Sequence, residues 1–286
     1  MANSRLGLRT RPGLIRNYTE TSGADSDVTA FLTAANITNA TQVNAITQLV
    51  ADLKNKGLWT KMKAVWPFVG GTSASHRFNL KNPGTADSAF YLTFAGGLTH
   101  SSTGVLPNGT TGYADTKIQP SISLTAANWH FSYYSRTNVA GSGDFDMGVG
   151  TDLGIYSSSM FLRRSTDTAA FDSGNAGSGN RITASSQTNS QGFYVGSIRS
   201  ATDRILLRNN VSIASSTANN TNVLHDSNIT LFAYNQRAFN SIGLSPAFFG
   251  SKEAAFISIG DGLTNQEASD LYDLVVAFQT TLGRQV

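Results

Sequence analysis

From about Leu58 to Ile259 side-chain character changes with a period of two, which restricts the body of this chain to β-structure. Trp129, Phe131, Tyr133 and Ser135 alternate with His130, Ser132, Tyr134 and Arg136, as on a strand with one apolar face. Gln191 to Arg199 follows the same habit. Arg204 to Arg208, Asn209-Asn210 and Val211 to Ala214 spell a hairpin, because asparagine tolerates the positive φ of its turn. Asn228 to Tyr234 is apolar on both faces and is expected to be central. Short strands separated by turn signals at this frequency predict a mainly β protein, a sandwich or jelly roll.

Composition agrees with that period. Between Glu20 and Glu253 there is no glutamate, and the only carboxylates are scattered aspartates from Asp25 to Asp226. Charged residues make up 14% of the chain, well under the ~25% of ordinary soluble domains. Ser, Thr, Asn and Gly fill the polar positions, and they exchange few protons near neutral pH. A scaffold or binding protein is therefore expected rather than an enzyme. The 286 residues fit either two domains or one large sandwich, and 16 Phe supply a substantial core. Without cysteine there are no disulfides or thiolate metal sites. The first 16 residues hold four arginines and no apolar stretch, which predicts no signal peptide, and no apolar run approaches a membrane span.

Four parts follow along the chain. Residues 1–24 read as an extended basic arm in which Arg5, Arg9, Arg11 and Arg16 precede the first acid. Such an arm reaches up to ~65 Å and suits docking on a neighbouring subunit. Residues 25–57 read as helical, capped by Ser26 or Asp27 and ended by Gly57. The remainder, 58–286, is the β-sandwich carrying a helix over 265–282. That helix opens on the capping box Thr264 to Glu267 and shows the stripe Ala268, Leu271, Tyr272, Val275, Phe278 and Leu282.

Candidate chemistry is sparse. Asp144 and Asp146 form the nearest carboxylate pair, but at i and i+2 they crowd one strand face instead of facing across a cleft. With Asp152 and Asn138 they form a candidate calcium site, since calcium needs only oxygen ligands. His76, His100, His130 and His225 are not clustered for a transition metal, and no Gly-x-Ser-x-Gly elbow is present. Gly70-Gly71 and Gly96-Gly97 lack the lysine and the helix of a phosphate loop. Tyr113, Tyr156 and Tyr194 are candidate aromatic platforms for a sugar.

The order of the blocks carries a resemblance. NWHFSYYSRTN, QGFYVGSIRSATDRILLRNNVSIASS, SNITLFAYNQ and FISIGDGLTNQEASDLYDLVVAFQTTLG resemble concanavalin A-like sandwich domains of the laminin-G/pentraxin type. AITQLVADLKNKGLWTKMKAVWPFVGG, HRFNLKNP, AFYLTFAGG and THSSTGVLPNGTTGYADT resemble a group of tailed-bacteriophage virion proteins. Together the blocks span roughly residues 28–285. The resemblance implies a concanavalin A-like jelly-roll sandwich in a structural virion component: capsid-associated, neck or tail. Such a protein is assembled in the bacterial cytoplasm and meets other virion proteins and copies of itself through its arm. The alternative it implies is a glycan-binding module of a tail or head fibre that recognises host surface glycan. It transfers no catalytic residue and no cofactor beyond the calcium already considered. Neither membrane nor direct nucleic-acid binding is expected.

Overall fold

The computed structural model describes residues 25–152, 156–174, 179–219 and 223–286. The basic arm with Arg5, Arg9, Arg11 and Arg16 lies outside the described residues, as do residues 175–178 of the segment Ser173 to Asn180.

The helical front forms two helices, α1 (Ser26–Ala34) and α2 (Ala40–Asn55). The first cap is neither Ser26 nor Asp27 but Asp25, whose side chain accepts from the Asp27 N–H. Lys54, in the last turn of α2, pairs with Asp25 and Asp27 at 2.8 and 2.6 Å and ties the two helices together. Short helices α3 (Ser73–His76) and α4 (Pro120–Ser123) sit in connections, and α5 (Asn265–Thr281) follows the last strand. Thr264 accepts from the Glu267 N–H while the Glu267 side chain accepts from the Thr264 N–H, which closes the capping box at the start of α5.

The front half of the body supplies β1 (Met62–Trp66), β2 (Thr93–Ala95), β3 (Leu98–Ser101), β4 (Gly104–Pro107), β5 (Tyr113–Asp115) and β6 (Trp129–Ser135). Next come β7 (Met147–Gly150), β8 (Ser157–Phe161), β9 (Ala169–Gly174), β10 (Arg181–Ala184), β11 (Gly192–Ser200) and β12 (Asp203–Arg208). The series closes with β13 (Val211–Ser216), β14 (Thr230–Leu231), β15 (Tyr234–Gln236), β16 (Pro246–Ala247) and β17 (Ala254–Gly260). One sheet runs β13-β12-β11-β6-β17-β4-β3 with β1 added on β17, and the other runs β10-β9-β8-β7-β14-β5-β2 with β15 and β16 added beside β7. The ladders are antiparallel except where β15 meets β7. The architecture is a mainly β sandwich with a helix at its C-terminal end.

Its core is the space between the sheets. Trp129, Phe131 and Tyr133 of β6 meet Phe171 of β9 and Phe232, with the Trp129 and Phe171 ring centroids 5.0 Å apart. Each such aromatic contributes about 1.5–3 kcal/mol by leaving water. The Asn209-Asn210 turn has both residues at positive φ, 48° and 63°, as a twisted two-residue hairpin requires. The segment 228–234 is central, but Phe232 at φ 65° breaks it into β14 and β15.

Every residue of β6 is buried, those opposite its apolar face included. Helices α1, α2 and α5 cover the outer face of this sheet and pack on Val65, Tyr134, Phe193, Val195, Leu207 and Phe256. The polar residues of that face are tolerated because they satisfy one another. His130 Nε2 meets Ser258 Oγ at 3.0 Å, Ser258 Oγ meets Ser132 Oγ at 2.6 Å, and His130 Nδ1–H donates to Asp261 O at 2.7 Å.

Candidate functional site

Exposed and partly exposed aromatics meet polar loop atoms where three connections come together. The turn after β4 brings Thr110, the link between β6 and β7 brings Ser142 and Asp144, and the segment after β16 brings Phe248 and Phe249. They line an open cleft of about 280 Å³.

Local chemistry fixes each wall. Asn108 Oδ1 accepts from the backbone N–H groups of Thr110, Thr111 and Gly112 at 3.1, 2.9 and 3.0 Å, so the first turn is tightly held. On the opposite wall Pro246 and Ala247 pair with β15, and the chain then enters the left-handed region at Phe248, φ 52°. A bulky aromatic held there costs on the order of 1–3 kcal/mol, and such strain concentrates at functional positions. The Phe248 carbonyl accepts from Phe145 N at 2.9 Å, and its ring stands 49% exposed at the cleft. Behind it Phe145 stacks on Tyr234 with centroids 4.4 Å apart.

Beneath the cleft lies an ionic triad. Lys252 is fully buried, and its Nζ lies 3.0 Å from Asp144 Oδ2 and 3.4 Å from Asp146 Oδ1. The longer distance is an ion-pair contact without a hydrogen bond. Asp146 Oδ2 accepts from Leu162 N at 2.8 Å. Burial raises the Asp146 carboxyl to about 6, against the pull of Lys252 and helped by the Asp144 charge.

The two aspartates do share one side, as their i, i+2 spacing required, but they are buried and turned onto an ammonium. The calcium grouping fails for a geometric reason. Asp146 precedes β7 and Asp152 follows it, so roughly 20 Å of chain separates them, and Asp152 is exposed. Asn138 is engaged elsewhere, accepting from Arg163 Nη1 at 2.7 Å. Among the described residues no group of three or more His, Asp or Glu is arranged to hold a metal ion.

The three tyrosines are scattered. Tyr194 is completely buried in the sandwich core and presents no face to a ligand. Tyr156 stacks on Phe239 with centroids 4.0 Å apart, and Tyr113 is half-buried in β5. The histidines stay apart as well, except that His76 Nδ1 and His100 Nδ1 lie 3.1 Å from each other. The cleft was missed in the sequence, although Pro246-Ala-Phe-Phe-Gly250 places two aromatics between turn residues. The signal for the triad was thinner: Lys252 is the single lysine after Lys117.

No family model matches the sequence, and no curated protein matches it. Among solved structures the fold is similar to domain 4 of AbnA, a GH43 extracellular arabinanase from Geobacillus stearothermophilus, in complex with arabinotriose. That likeness has 14% identity over 74% of this chain and 98% of the other, with a TM-score of 0.49. It is similar also to the binding domain of Paraclostridial Mosquitocidal Protein 1, at 11% identity, TM-score 0.47, 77% of this chain and 53% of that one. A third is the CBM40 of the Ruminococcus gnavus IT-sialidase bound to α2,3 sialyllactose, at 12% identity, TM-score 0.36, 51% of this chain and 81% of that one. No residue role is carried over from them.

Proposed function

We propose that this protein is a non-catalytic structural component of a tailed-phage virion, attached through its helical side and its basic N-terminal arm. The observation that carries this reading is the closed helical layer. The outer face of strands β12, β11, β6, β17 and β1 is covered by α1, α2 and α5, and residues 1–24 join the described chain at Asp25 on that same layer. Attachment thus has a side of its own, away from the second sheet. The phage-like sequence blocks add the particle. The carboxylates nearest the cleft serve an internal lysine, which suits a body that holds and touches. An antibody to the purified chain is expected to label intact particles in electron micrographs; a protein found only in infected-cell lysate and never in particles removes this reading.

A second reading is favoured by Phe248. A strained, half-exposed aromatic beside Thr110 and Ser142 has the makings of a sugar platform with hydroxyl partners. Under it the cleft recognises host surface glycan in the manner of a fibre module. A glycan array probed with the full chain, with and without calcium, is expected to give calcium-independent binding; a blank array under both conditions removes it.

A further inference from the structure

Lys252, Asp144 and Asp146 are assembled in a way that ion pairing alone does not explain. A lysine with no exposed surface is rare, and burying three ionisable groups together costs several kcal/mol per ion before their attraction is counted. The hydrogen bonding is also incomplete: Asp144 Oδ1 is buried with no hydrogen-bond partner. One further charge stands by the triad, Arg164, whose Nε donates to the main-chain carbonyl of Asp144 at 3.1 Å; Phe145, Phe232 and Tyr133 are neutral. Phe145 lies between the two aspartates in sequence, Phe232 N donates to Asp146 O at 2.7 Å, and Tyr133 donates to the main-chain carbonyl of Lys252 at 2.7 Å.

We propose that Lys252 and Asp144 join in an intramolecular isopeptide bond, with Asp146 as the proton-transferring residue. Lys252 Nζ already touches the carboxyl group whose carbon it attacks, 3.0 Å from Oδ2, and such held proximity replaces most of the entropy cost of a bimolecular amide synthesis. The Leu162 N–H fixes Asp146 beside the same nitrogen. Asp146 takes a proton from the ammonium, and the freed amine lone pair adds to Asp144 Cγ. Asp146 then returns that proton to one Asp144 oxygen, which leaves as water with a second proton from the nitrogen. One ammonium and one carboxylate become one neutral amide and one water, and Asp146 ends as it began. No oxidant, metal or cofactor enters the balance. Burial favours the step because it removes two charges that the site solvates poorly.

The bond would tie the segment before β7 to the segment before β17, and thus one sheet of the sandwich to the other, whatever the cleft binds. It is tested on the purified full chain by intact mass under denaturing conditions. The expected mass is that of the sequence less one water, and a tryptic digest should yield a branched peptide joining Lys252 to Asp144, uncut at Lys252. Lys252→Arg and Asp144→Ala should each show the full calculated mass, while Asp146→Asn should stay unlinked although both partners remain. Unmodified wild-type mass after prolonged incubation of folded protein overturns the proposal, whether or not the variants fold. Loss of water without the branched peptide, as from a succinimide, overturns it too, and a branch to Asp146 overturns the assignment of roles.

Discussion

Arg284 Nη2 lies 2.7 Å from the carbonyl oxygen of Pro67, joining residues 217 positions apart. The same guanidinium donates to Phe68 O at 2.8 Å and Ala255 O at 2.9 Å, and its Nε donates to Gln279 Oε1 at 2.6 Å. Arg284 therefore clamps the segment after β1 and strand β17 to the end of α5. Arg284→Ala strips donors from buried carbonyls and is expected to cost about 3 kcal/mol or more. Urea unfolding monitored by tryptophan fluorescence measures it, and a loss under ~1 kcal/mol would show the clamp to be redundant.

His130 predicts a pH dependence. Burial holds its imidazole down to about 4, from an ordinary 6.5. The unfolded chain thus binds a proton that the native state refuses, and stability from this group falls as pH drops from about 6.5 to about 4. The shift corresponds to on the order of 3 kcal/mol. His76, pushed down to about 3 by burial and by its neighbours His100 and Arg284, acts with the same sign. Asp146 acts in reverse, because its raised carboxyl holds a proton in the native state more readily than in the unfolded one. Comparing wild type with His130→Gln across this range isolates the histidine, and the variant is expected to show the shallower acid slope. Parallel slopes would mean that His130 is not the titrating group.

Phe248 separates recognition from folding. Its ring is half in water, so Phe248→Ala is expected to leave the unfolding midpoint within about 1 kcal/mol of wild type. Under the glycan reading the same change lowers binding at least tenfold, as loss of a stacking platform does. Binding that survives the substitution moves the contact surface elsewhere.

The capping box of α5 predicts a smaller, local effect. Thr264→Ala leaves the Glu267 N–H without its side-chain acceptor and should cost about 1 kcal/mol. Thr264→Ser should restore it. Equal stability of the alanine and serine variants would remove the cap as a determinant.

Signals that act over a few residues were legible in advance. The Thr264 to Glu267 box, the Asn209-Asn210 turn and the alternation of β6 are short-range chemistry, and the structure has them where the sequence places them. The second face of β6 was not legible, because His130 and Ser132 look solvent-facing until Ser258 and Asp261, more than 120 residues away, provide their partners. Lys252 was hidden for the same reason. Next to Glu253 it reads as a surface lysine, and only the approach of Asp144 and Asp146 across the sandwich puts it inside. Tyr194 erred the other way: sharing β11 with apolar neighbours, it turns to the interior core.

Gly141 gives the triad an unexpected guardian. A β-carbon built on it would fall 1.6 Å from Asp144 Oδ1. The aspartate keeps its place only because a bare hydrogen stands overhead. Even one methyl group there would shoulder the carboxyl aside and unseat the lysine's nearest companion, so the joint between the two sheets hangs on the smallest side chain available.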